Sequence, residues 1–270
     1  MEQWFCLLSR PMFSVFEQVY DFVRKEPFEE VVTIPGAVCT ELAVASFLMP
    51  LLGADLRRTY VPFLTACDAS PVFGFGVSFM KVLQSVATQV GSLAEKRGDF
   101  VQFYKNPGEP EPRDRLGKPH LLPFSQSKFK VAISARAKFQ AHSGALEAHG
   151  LLLAVKWLLR TKSHFHRRFP VLIDAKAVLG AASKGRTSAP AIRGVLRHIG
   201  ALLLGADSLL RLVYVPSEHN PADAPSRGKR RRHQQRQKNR SGKSRLGTLF
   251  ERRMNSLEKS LERLKQLGHF

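Results

Sequence analysis

The chain has little cysteine: Cys6, Cys39 and Cys67 are the only three, and no two of them form a Cys-x-x-Cys pair. This spacing excludes a zinc knuckle and a disulfide framework, and a reducing, intracellular compartment fits best. Long apolar runs are missing as well, since no stretch reaches the ~18 continuous apolar residues of a membrane span. The opening "MEQWFCLLSRPMF" carries Glu2 where a secretory leader needs positive charge, so no leader is expected. The chain is expected to be soluble, with no membrane partner. Acid is scarce: 22 Asp and Glu stand against 42 Lys and Arg, a formal charge of +20. A polyanionic partner follows, nucleic acid ahead of acidic membrane, although charge alone does not separate the two.

What is present is a chain long and apolar enough to fold: 270 residues, 44% hydrophobic, can bury at least one sizeable core. Changes in pattern divide it. Residues 1–60 read as a helical lead-in, with apolar residues at helical spacing in "GAVCTELAVASFLMPLLGADL". Residues 61–228 read as one α/β domain with a mixed sheet flanked by helices. It opens with a hairpin at 61–80 and continues, from 129 on, as strand, helix (144–160), strand ("PVLID"), short helix, loop, helix (191–204) and strand ("LLRLVYVP"). The block 81–128 reads as an insertion, a helix followed by an exposed loop rich in Pro, Gly and charge. Residues 229–270 form a basic tail with fourteen Lys and Arg against three acids. Its far end carries Phe250, Met254, Leu257, Leu261 and Leu264 as a short heptad-like stripe on a terminal helix.

Four carboxylates stand where this pattern makes them conspicuous: Asp68 at the end of the first strand, Glu147 near the start of the long helix, Asp174 closing "PVLID", and Asp223 after the last strand. Each has an ordinary structural explanation. Asp68 starts a turn; Asp174 caps the helix that follows; Asn220 and Asp223 form a capping arrangement around Pro221; Glu147 complements a helix dipole. Yet three, four, seven and eleven residues beyond Glu147 come Gly150, Leu151, Ala154 and Leu158, so Glu147 shares the face that packs on the sheet. A carboxylate aimed inward needs a partner or a proton. If the strands at 61–68, 171–174 and 210–216 are neighbours, four acids meet with no basic residue among them. A divalent cation then resolves the repulsion, and all-oxygen ligation favours Mg²⁺ or Mn²⁺.

"CDAS" before a glycine-containing strand, the "LE" of the long helix, "LID", and "VPSEHNPADAPSR" together resemble the ribonuclease H domain of retroelement reverse transcriptases. The resemblance spans residues 61–228 and extends faintly into the lead-in, which is similar to the connection preceding that domain. It implies a ribonuclease H-like fold, and it implies that Asp68, Glu147, Asp174 and Asp223 hold two Mg²⁺ or Mn²⁺ ions. The implied reaction is hydrolysis of the RNA strand of an RNA–DNA hybrid. Two family features are altered: Ala175 follows the third acid, and Ser143 and Gly144 follow His142. No Tyr-x-Asp-Asp or Phe-x-Asp-Asp occurs, so a polymerase partner is expected outside this chain. The alternative is a decayed or repurposed domain that binds nucleic acid without cutting it.

His219 is a further catalytic candidate, because histidine titrates near neutral pH; the other reading is a plain loop residue. Lys184 and Arg186, in "SKGRTSAP" before a helix capped by Ser188, are candidates for phosphate contact or for a solvated basic loop. Lys229, Arg230, Arg231 and Arg232 open the basic tail, the expected electrostatic anchor for nucleic acid, which also favours a nuclear over a cytoplasmic site of action. A chain ended at Gly228 is therefore expected to bind nucleic acid more weakly at low salt. Its plot of log affinity against log salt should be shallower by about 0.9 for each phosphate that the tail neutralises on duplex DNA. Paired salt titrations of the two chains measure this; an unchanged slope would remove the tail from the interface.

Overall fold

The computed structural model describes residues 6–26, 30–53, 55–96, 98–103 and 117–229. A 3-10 turn at Arg10–Val15, helix α1 (Gln18–Lys25) and helix α2 (Gly36–Leu48) make up the lead-in. Strands β1 (Phe63–Ala69) and β2 (Gly74–Lys81) follow, joined at Ser70–Phe73, where the Ser70 hydroxyl accepts from the Val72 N–H. Next come α3 (Gln84–Ser92), β3 (Phe100–Phe103), β4 (Pro119–Leu122) and β5 (Lys130–Arg136). Helix α4 (Ser143–Leu159) starts at His142, whose ring accepts from the Gly144 N–H. The described part closes with β6 (Arg168–Ile173), α5 (Lys176–Lys184), α6 (Pro190–Gly205), β7 (Leu209–Tyr214), a 3-10 turn at Ser217–His219, and the single turn α7 (Asp223–Ser226). Pro190 opens α6, where its missing N–H costs nothing. Gly185, at φ +71°, ends α5 in the left-handed conformation that favours glycine.

The strands form one seven-stranded mixed sheet in the order β4-β3-β7-β6-β1-β2-β5. The hairpin β1–β2 and its neighbour β5 are antiparallel, while β1, β6, β7, β3 and β4 run parallel. Apolar residues cover both faces. On one, Cys67, Val77, Val171 and Ile173 meet Leu151, Leu158, Ile199 and Leu203 from α4 and α6. On the other, Leu64, Ala66, Leu172 and Val213 meet Val90 of α3 and Ala222 just ahead of α7. Of the parallel strands, β3 and β6 are buried along almost their whole length, whereas the edge strand β4 is mostly exposed.

One expectation needs correction. The block 81–128 is more than a helix and a loop, because β3 and β4 extend the sheet beyond β7. "FVQF" and "PHLL" are four-residue strands, too short for alternation to declare them, and β4 lies at the end of a stretch whose prolines suggest only loop. The lead-in, for its part, belongs to the same compact unit as the sheet, which covers the first 230 residues. Glu17 pairs with Arg193 and, at 3.3 Å, with Arg197 of α6, and the Pro11 backbone closes on Gly200. The tail beyond residue 229, with Arg230, Arg231, Arg232 and the stripe from Phe250 to Leu264, lies outside the described residues. No helix among the described residues is long and apolar enough to cross a membrane.

Gly76 of β2 connects this architecture to the segment around α7. A Cβ there would sit 2.4 Å from the Ala222 carbonyl oxygen and 2.5 Å from the Ser226 nitrogen, both backbone atoms. Gly76→Ala is expected to push the segment off the sheet at a cost of about 1–3 kcal/mol. A lower Tm in thermal melts would register it; an unchanged Tm would show that the segment yields freely.

Candidate metal centre

The register of β1 and β6 brings the first two acids together. Thr65 lies beside Val171 and Ala66 beside Leu172, so two residues further on the parallel strands bring Asp68 and Asp174 level. Neighbouring strands are about 4.8 Å apart. Asp68 is the next-to-last residue of β1, opposite Gly76, so it does not start the turn. Asp174 follows the last residue of β6, and it does not cap α5: the N-cap is Ala175, with no side-chain bond.

Glu147 arrives from the other layer. It is the fifth residue of α4, beyond the first turn, so it does not serve as a terminal acid for the helix dipole. Its helix approaches β1 closely because Gly150 lacks a side chain; a Cβ there would stand 3.1 Å from the Asp68 carbonyl oxygen. Oxygens of Asp68, Glu147 and Asp174 lie within 4.8 Å of one another. Among the described residues, no Lys or Arg forms an ion pair with any of the three.

The loop after β7 closes over this group. The Ser78 hydroxyl donates to the Pro221 carbonyl at 3.1 Å, and the Ser134 hydroxyl to the Pro225 carbonyl at 2.8 Å, so β2 and β5 anchor the loop. Asn220 accepts from the Ala222 N–H at 3.0 Å and donates to the Cys67 carbonyl at 3.1 Å. Ser217 and Asn220 also favour the charged form of the Asp174 carboxylate. Ser226 donates to Asp68.

Asp223 is the exception among the four expected ligands. It starts α7 close enough for its charge to act on Asp68 and Asp174, but it is not one of the three that converge. Its Oδ1 accepts from Arg227 Nε at 2.8 Å, so the expectation of no basic residue among the acids fails at this position. The Asp223 and then the Asp68 and Asp174 charges hold the Arg227 proton more tightly than usual.

The remaining candidates divide. His219 is buried in the loop, with Nδ1 3.4 Å from Gln126 Nε2, and stands outside the carboxylate group. Arg186 is exposed and extends over the rings of Phe13, at 5.9 Å, and Tyr20, at 5.3 Å. Ser188 does not cap α6; the N-cap is Ala189, whose N–H is taken by the Thr187 hydroxyl. Lys184 and Lys229 are exposed. Sequence reasoning missed Ser217, Ser226 and Arg227. All three stand in "VPSEHNPADAPSR": Ser226 and Arg227 close the motif, a signal that could have found them, whereas nothing distinguishes Ser217 from an ordinary loop serine.

Three gathered carboxylates repel, and burial adds to the cost of their charge. Burial first, then Asp68 and Asp174, push the Glu147 carboxyl up to about 8, against the Ala69 N–H that stabilises its charged form. Asp68 is pushed up to about 6, again mainly by burial, with the Ser226 hydroxyl opposing. Asp174 is raised by burial while Ser217 and Asn220 oppose. An oxygen-only donor set with unbalanced negative charge fits a hard divalent cation. The group formed by Asp68, Glu147 and Asp174 can hold a metal ion.

No protein-family model matches the sequence, and no curated protein matches it. The site's own geometry therefore carries the functional argument.

The raised carboxyls make stability depend on pH. In chelator, protons bound by the folded state stabilise it fully below the ordinary carboxylate range; that stabilisation is lost as pH rises through about 6 for Asp68 and about 8 for Glu147. Tm is expected to fall by several degrees from mildly acidic to mildly alkaline pH. Glu147→Gln should flatten the upper half of that fall, and saturating Mg²⁺ should raise the alkaline Tm through linkage. Calorimetry at a series of pH values, with and without Mg²⁺, tests all three.

Proposed function

We propose that the chain is a ribonuclease H-type phosphodiester hydrolase that cuts the RNA strand of RNA–DNA hybrids, using two Mg²⁺ or Mn²⁺ ions held by Asp68, Glu147, Asp174 and Asp223. The observation that carries this reading is the meeting of Asp68 and Asp174, from the ends of β1 and β6, with Glu147 of α4 within 4.8 Å, where no Lys or Arg among the described residues forms an ion pair with them. The likeness of residues 61–228 to retroelement ribonuclease H domains supports it.

Bound ions supply activation of the attacking water and stabilisation of the leaving oxygen. The chain's own residues prepare the place. Asp68 and Asp174 stand side by side on a rigid sheet, and Ser226, Ser217 and Asn220 orient their oxygens. Glu147, protonated near neutral pH while no cation is present, gives up its proton when one binds. Lys184, Lys229 and the basic tail favour a phosphate backbone, and the natural partner is a polymerase domain outside this chain, acting inside the cell.

A second reading, a nucleic-acid-binding domain that does not cut, is favoured by one observation: Arg227 occupies Asp223, so the full set of acids is not assembled. Labelled RNA–DNA hybrid, RNA duplex and DNA duplex, each with Mg²⁺, Mn²⁺ or chelator, separate the two. Under the first reading the hybrid's RNA strand is cut only with a divalent ion, and Glu147→Gln and Asp174→Asn abolish cutting while hybrid binding persists. Folded variants that cut at the wild-type rate would overturn it; binding without cutting in every metal would establish the second.

A further inference from the structure

The segment at α7 reaches the acids through two adjacent side chains with different consequences. Ser226 donates to Asp68 and holds an acid within the converging group. Arg227, the next residue, donates through Nε to Oδ1 of Asp223 at 2.8 Å, and Asp223 is not among the three acids that converge. Among the described residues, Arg227 is the cation that forms an ion pair with one of the four acids; Asp68, Glu147 and Asp174 have none.

We infer that Arg227 is a positioning residue that latches Asp223 and divides the centre into two unequal metal positions. One, formed by Asp68, Glu147 and Asp174, stands ready. The other opens only when Asp223 exchanges the guanidinium for a metal ion. This inference rests on the proposed reading of the four acids as metal ligands.

The chemistry of arginine makes the latch work. A guanidinium does not lose its proton in a protein, so a cation approaching Asp223 meets a full positive charge that pH does not remove. The Arg227 and Asp223 side chains are 56% and 37% exposed, and exposed pairs are weak, so a dication can displace the guanidinium. The latch lowers affinity at the second position without closing it. One unit charge about 6 Å from a dication, screened by a water-like dielectric of about 80, changes its affinity by about tenfold. Spacing also matters: Arg227 lies four residues beyond Asp223 across a single helical turn, so the pair forms within the same turn that carries Ser226.

The test is equilibrium Mn²⁺ binding by the full chain without nucleic acid, followed through the electron paramagnetic resonance signal of free Mn²⁺. Wild type should bind one ion, and a second at least about tenfold more weakly. Arg227→Gln should tighten the second ion by about tenfold and leave the first unchanged. Arg227→Lys, which keeps the charge, should behave like wild type, and Asp223→Asn should bind the first ion alone. A second ion of wild-type affinity in Arg227→Gln, or equal tightening of both ions, would overturn the latch while leaving the metal centre standing. A first ion that survives Glu147→Gln unweakened, or no bound ion in wild type, would instead overturn the reading of the acids, and the latch with it. Thermal melts of each variant confirm that folded protein is compared.

Discussion

The parallel register of β1 against β6 is the constraint on which the rest of the site depends. It sets Asp68 and Asp174 level with each other at the ends of adjacent strands. A fold selected only for stability would not place like charges there; local conflict of this kind, surrounded by good packing, is typical of functional sites. The neighbouring elements contain the conflict. Glycine at position 150 lets α4 bring a third acid close, and hydroxyls from β2 and β5 fasten the loop that orients them. The centre is thus a property of the whole sheet, with contributions from β1, β2, β5, β6 and β7.

Much of this was legible in the sequence because it depended on local order. The hairpin, the alternation of strands and helices after residue 129, and the inward face of Glu147 all follow from periodicity and spacing, and the structure has them within a residue or two. The prospect of Asp68 meeting Asp174 was also readable, given strands adjacent in one sheet. What escaped was decided by partners remote in the chain or by elements too short for a pattern. β4 follows a proline-rich stretch that masks it, and its pairing to β3 is a tertiary fact. Arg186 lies over rings from the lead-in, whose proximity no local pattern announces. Asp223 stands outside the converging group, and Arg227 was visible four residues on; only the geometry of the turn joins them.

The lead-in shows how charge and packing share one interface. Met12, Phe13 and Phe16 bury themselves with Ala45 and Leu52, and Leu204 of α6 packs on them. Glu17 meets two arginines of the same helix at the margin of that cluster. Apolar contact supplies the area, and the ion pairs fix which part of α6 the segment meets.

Cys67 lies one residue before Asp68 and is almost wholly buried. Burial and the surrounding Glu147, Asp174 and Asp68 all push its thiol up. Alkylating and oxidising reagents attack the thiolate, so burial and the gathered acids together shield this sulfur from chemistry. Cys39, exposed on the lead-in, has no such protection. The two thiols therefore differ in access: Cys39 is exposed in the native protein, whereas reagents reach Cys67 only if the end of β1 opens.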